Sequence, residues 1–141
     1  MSSSGALGLE DAAVHVRFKL SALWVTVLLL FAYGDIIGFF APGRIQDVMR
    51  GRVGGMEITQ VFLFAISLYV AVASLMVFLS LVLAPRVCRW TNIVLSVLYI
   101  VSIVVSAVGE SAYFVLLSII EIALLLLVTR YAWAWPQRRG T

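Results

Sequence analysis

Few side chains in this chain are equipped for chemistry. Seven acidic residues and one histidine are spread over 141 positions. Among the carboxylates, Glu121 alone lies near the middle of a long apolar run, residues 111–129, with no basic residue in the same segment. A carboxyl group at that depth has to be neutral, paired or beside water, because an isolated charge in hydrocarbon is too costly. Three roles suit it: handling a proton or cation, anchoring the polar end of a ligand, or joining helices as a protonated acid bonded to hydroxyls. Asp35 lies nearer the end of another apolar run, two residues after Tyr33, where Arg44 or Arg52 is within reach. The single cysteine, Cys88, falls in a short polar turn and excludes an intramolecular disulfide or a thiolate metal cluster. His15 has no partners at ligand spacing, so no metal or other cofactor is expected. No P-loop, H-E-x-x-H, G-x-S-x-G or C-x-x-C motif occurs. Enzymatic activity is therefore the weakest reading; it would take the form of lipid or quinone handling beside Asp35 and Tyr33.

The elements that must position these groups are set by composition. The chain is 63% hydrophobic and 12% charged, against about 25% charged residues in soluble domains. Such a chain belongs in lipid, where backbone polar groups must bond internally and long apolar runs form helices. Four runs are long enough to span: residues 20–41, 58–83, 90–108 and 111–131. The expected fold is an all-α antiparallel bundle of four transmembrane helices over residues 17–135. A polar tail precedes it at 1–16, and a basic tail follows at 136–141. Residues 44–53 place Ile45, Val48, Met49 and Val53 at helical spacing against Arg44, Asp47, Arg50 and Arg52. That pattern suits a short amphipathic helix in the interface, or a solvated loop whose apolar residues touch the bundle. The turn at residues 84–89 is short enough to make the second and third spans antiparallel neighbours.

Basic residues indicate orientation. With the N-terminus inside, Arg17, Lys19, Arg86, Arg89, Arg130, Arg138 and Arg139 fall on the inner side and only Arg44, Arg50 and Arg52 on the outer. Both termini are thus expected in the cytoplasm, in a cytoplasmic membrane crossed several times. Trp24, Trp90, Trp133 and Trp135 all fall toward that inner face, as interfacial indoles would. The net charge of +3 forms no stripe suited to nucleic acid. Partners are instead the lipid bilayer and either a second copy or another membrane protein. Gly34 and Gly38 form G-x-x-x-G, which allows close helix approach within the bundle or between copies. The pairs Trp24/Tyr33 and Trp90/Tyr99 share one spacing, which raises the idea of a two-helix repeat.

Polar residues in the third span, Asn92, Ser96, Tyr99, Ser102, Ser106 and Glu110, recur every three or four positions and share one helical stripe. Gln60, Ser67 and Ser74 are the second span's counterpart, and Ser111, Ser118, Glu121 and Thr129 the fourth's. Counting inward at about 1.5 Å per residue brings Glu121 level with Tyr99, Ser102 and Ser67, its expected partners.

The segments 19–25, 33–35, 42–43, 74–81, 89–93, 120–122 and 131–133 (KLSALWV, YGD, PG, SLMVFLSL, RWTNI, IEI and YAW) resemble, in order, those of a family of small four-span bacterial membrane proteins that is known only as a domain of unknown function. The resemblance implies the four-span fold and no activity. It includes Tyr33, Asp35 and Glu121. The chain departs from the family's pattern at Ala73, where a proline is expected, so a kink in the second span does not carry over. The leading functional reading is a non-enzymatic accessory or small ligand-binding bundle with a polar seam centred on Glu121. The second is an oligomeric proton-coupled transporter of a small solute or ion.

Overall fold

A computed structural model describes residues 11–136; the expected basic tail with Arg138 and Arg139, and most of the polar N-terminal tail, lie outside the described residues. Four long helices pack against one another: α1 (Val16–Phe39), α3 (Gln60–Val82), α4 (Pro85–Ala107) and α5 (Ala112–Trp133). They run for 22 to 24 residues, about 33–36 Å at 1.5 Å per residue, which covers a hydrocarbon core of about 30 Å. In the most apolar stretch of each helix no more than 22% of residues are buried. The outward faces carry Leu29, Phe64, Leu68, Phe78, Val105 and Leu116 instead. A surface this apolar over its whole girth is that of a membrane-spanning bundle.

Local chemistry sets the helix ends. α1 starts at Val16, before the expected Leu20, because His15 caps it, its Nδ1 accepting from the Arg17 backbone N–H at 3.2 Å. Thr59 caps α3 by accepting from the Phe62 N–H at 3.1 Å. α4 starts at Pro85 rather than Trp90, since proline at the first helical position gives up an N–H that would be unpaired anyway. The turn between α3 and α4 is thereby reduced to Leu83 and Ala84, and Cys88 becomes a buried helical residue rather than a loop thiol.

Between α1 and α3, a six-residue helix α2 (Arg44–Met49) begins after Gly43, whose φ is +84°. It ends before the expected Val53, because Arg52–Val53 (β1) and Met56–Glu57 (β2) pair as a hairpin. Gly54 and Gly55, with φ of +56° and +81°, form its two-residue turn, a backbone shape that glycine adopts without Cβ strain. α2 leaves Ile45 and Met49 exposed, as an interfacial helix does.

Four spans place both described ends of the chain at one end of the bundle, the terminal end, and α2 with the hairpin at the other, the loop end. α1 lies between α3 and α5, and α4 packs along α5. α3 and α4, joined by the shortest connection, approach less closely than the α1–α3, α1–α5 and α4–α5 pairs, because long side chains, Tyr69 and Tyr99 above all, bridge them. The core is Leu20, Trp24 and Val27 of α1, Ala73 and Met76 of α3, Tyr99 and Ile103 of α4, and Leu125, Val128 and Ala132 of α5. Ala73 sits in an unbroken helix.

Candidate functional site

Buried polar residues divide the bundle interior into two parts. Toward the terminal end the network is closed. Trp24 Nε1 donates to Asn92 Oδ1 at 2.8 Å, Ser80 Oγ donates to the same oxygen at 3.3 Å, and Asn92 Nδ2 donates to the Cys88 carbonyl at 2.8 Å. Trp24, Ser80 and Asn92 are all fully buried. Ser21 Oγ donates to the Val77 carbonyl at 2.8 Å, and Ser96 and Thr129 share a hydrogen bond of 2.7 Å. The Arg17 guanidinium donates to the Leu83 and Leu81 carbonyls at 2.7 and 3.0 Å, satisfying the C-terminal carbonyls of α3. Trp24 is thus a core residue, not an interfacial indole: with α1 starting at Val16, it sits two turns deep. Trp90 and Trp133 are exposed and meet edge to face.

Above this network sits an aromatic cluster. Tyr69 and Tyr99 lie 4.4 Å apart between ring centroids, and Phe31 covers both. Tyr99 donates to the Tyr69 carbonyl, and the Tyr69 hydroxyl is hydrogen-bonded to Ser102 Oγ at 2.8 Å. The expected partners Tyr99 and Ser102 therefore bond Tyr69 instead of Glu121. Ser67 is exposed on the outer face of α3, as are Gln60 and Ser74, so the second span's expected polar stripe faces away from the bundle. The inward stripe of α3 is Tyr69, Ala73, Met76 and Ser80. Steps of three and four joining a tyrosine to a serine were the available signal; seven-residue spacing drifts round a 3.6-residue helix and was the poorer guide.

Glu121 points inward on α5, 7% exposed, on one stripe with Ser118, which is 3% exposed. No described residue donates a hydrogen bond to Glu121, and Ser118 has no side-chain partner among them. Yet Arg89 Nε is the one fully enclosed side-chain polar atom without a partner among the described residues. The unpaired oxygens of Glu121 and Ser118 are therefore not sealed off.

Asp35 lines a cleft of 330 Å³ at the loop end, with Tyr113, Arg44 and Arg52 as its other polar lining amid Phe62 and Phe114. Arg44 does not pair with Asp35; it donates to Glu110 Oε2 at 3.1 Å, joining α2 to the start of α5. Tyr33 is 59% exposed and turned away from the core. The proposed repeat fails on environment: Trp24 and Tyr99 are buried and touch each other, whereas Trp90 and Tyr33 are exposed. Gly34 and Gly38 face α5. A Cβ at Gly34 would lie 3.4 Å from Leu117 Cδ1, and one at Gly38 3.5 Å from the Tyr113 hydroxyl. The G-x-x-x-G face is used inside the bundle, against Leu117 and Tyr113 of α5.

A family model described as a family of unknown function (DUF6326) matches residues 11–141. The chain belongs to this family. No curated protein and no solved structure matches it. The matched stretch of this DUF6326 member includes the closed network, the aromatic cluster and both carboxylates, Asp35 and Glu121. Among the described residues no group of three or more His, Cys, Asp or Glu side chains is placed to hold a metal ion.

Proposed function

We propose that this multi-pass membrane protein is a non-enzymatic binding bundle that takes a small amphiphilic ligand with a cationic or hydrogen-bond-donating group at its loop end. Asp35 is the carboxylate of the cleft and Glu121 the polar anchor below it. The observation that carries this reading is Glu121 itself: it is buried, no described residue bonds it, and its oxygens are not enclosed. A carboxyl serving only as helix glue would be bonded to hydroxyls across the bundle, whereas the Tyr69 and Ser102 hydroxyls bond each other and the Tyr99 hydroxyl donates to the Tyr69 carbonyl. A cleft of 330 Å³ lies within the range of small-ligand sites, about 300–1,000 Å³. The fully buried Trp24, Leu125 and Val128 below it favour access from one side.

The reading puts both termini in the cytoplasm and the cleft on the outer side of a cytoplasmic membrane. Its support is the crowding of Arg17, Lys19, Arg86, Arg89 and Arg130 toward the terminal end, beside exposed Trp90 and Trp133. The test is equilibrium binding of a lipophilic cation, tetraphenylphosphonium, to the purified chain in detergent. Glu121→Gln should weaken binding at least tenfold while helicity stays unchanged; equal binding by the two proteins refutes the reading. The placement of two carboxylates, Asp35 and Glu121, on the packed helices α1 and α5 favours a second reading, proton-coupled transport by an oligomer. It requires proton flux in proteoliposomes that Glu121→Gln abolishes.

A further inference from the structure

At the terminal end, opposite the cleft, a larger recess of 1020 Å³ is lined by Arg17, Arg86 and Arg89 together with His15, Trp90 and Trp135. We infer that this recess is a binding site for a phosphate-bearing anion at headgroup level. Three guanidinium groups converge here, and none has a carboxylate partner among the described residues, where the salt bridge formed is Arg44–Glu110 at the far end. Like charges brought together without counter-charge are costly unless an anion joins them.

The local geometry suits a phosphate. The Arg89 guanidinium is held in place at the recess by the faces of Trp90 and Trp133, at 5.9 and 5.3 Å. Arg17 is anchored by its bonds to the α3 carbonyls and by Trp135, 5.4 Å from its guanidinium carbon. The recess also opens on the first turn of α4. There Pro85 has no N–H, and the N-cap residue, Ala84, has no side chain to cap the N–H groups that follow. Those groups add the positive end of the helix dipole to the three arginines. A guanidinium can grip two phosphate oxygens at once, which favours phosphate over a monodentate anion.

The phosphate can come from an anionic lipid headgroup or from a free phosphate, and one experiment separates them. Native mass spectrometry of the purified full chain is run with phosphatidylglycerol and phosphatidylcholine of identical acyl chains, with and without millimolar inorganic phosphate. Phosphatidylglycerol should be retained in preference to phosphatidylcholine. Arg86→Gln and Arg89→Gln should each weaken its retention roughly fivefold, whereas Arg50→Gln, the same charge change at the loop end, should leave it unaltered. Displacement by inorganic phosphate assigns the site to free phosphate; no displacement assigns it to the lipid. Equal retention of the two lipids with no phosphate binding overturns the inference, as does an equal effect of Arg50→Gln. Arg86 is exposed, so its substitution keeps the test valid if Arg89→Gln fails to fold.

Discussion

Asn92→Ala should be among the most damaging single changes in this protein. Its carboxamide oxygen accepts from both Trp24 and Ser80, and all three side chains are fully buried. Truncation leaves the Trp24 N–H with no acceptor and no route to water, a penalty of about 1–3 kcal/mol. The Ser80 bond adds about 0.6 kcal/mol, the average for interhelical bonds in a membrane; serine can turn back to a carbonyl of its own helix, which keeps that part small. The expected total is about 2–4 kcal/mol, measured by far-UV circular dichroism as purified protein in mixed micelles is titrated with SDS. Trp24→Phe removes the donor, so a double-mutant cycle should give a coupling of about 1–2 kcal/mol. A loss below about 0.5 kcal/mol for Asn92→Ala, or additivity of the two substitutions within that margin, would refute the claim that this bond closes the terminal half. It would also remove the argument for one-sided access to Glu121.

Gly34→Ala places a methyl group 3.4 Å from Leu117 and should be tolerated, whereas Gly34→Leu should separate α1 from α5 and cost about 1–3 kcal/mol in the same SDS titration. Arg44 and Glu110 are each 29% exposed, so a double-mutant cycle between them should give about 0.2–1 kcal/mol of coupling, falling as salt is raised. Cys88, buried with its Sγ 3.4 Å from the Ser80 carbonyl, should resist a water-soluble maleimide in the folded protein and react fully once SDS unfolds it; rapid labelling of the folded protein would contradict its burial.

What the sequence determined by itself is the architecture. Apolar runs of membrane-spanning length permit little else in a bilayer, since only helices satisfy their own backbone there. The α4 stripe was legible for the same reason from Asn92 through Ser96 and Tyr99 to Ser102, since a polar stripe in lipid turns inward; Ser106, expected on it, is instead exposed and donates back to the Ser102 carbonyl.

Tertiary structure alone decided which polar groups meet. Tyr69, rather than Ser67, faces inward because α3 is rotated to bury Ala73, Met76 and Ser80 against α1 and α4, and one helix's rotation is fixed only by its neighbours. Arg44 reaches Glu110 rather than Asp35 because α2 and the hairpin direct it toward α5. Trp24 and Cys88 looked like end-of-helix residues until the capping by His15 and the start of α4 at Pro85 moved both helix boundaries. Hydrogen-bond partners across helices depend on rotation and register together, and both are set by packing between segments far apart in the chain. That packing left Glu121 buried without a bonded partner.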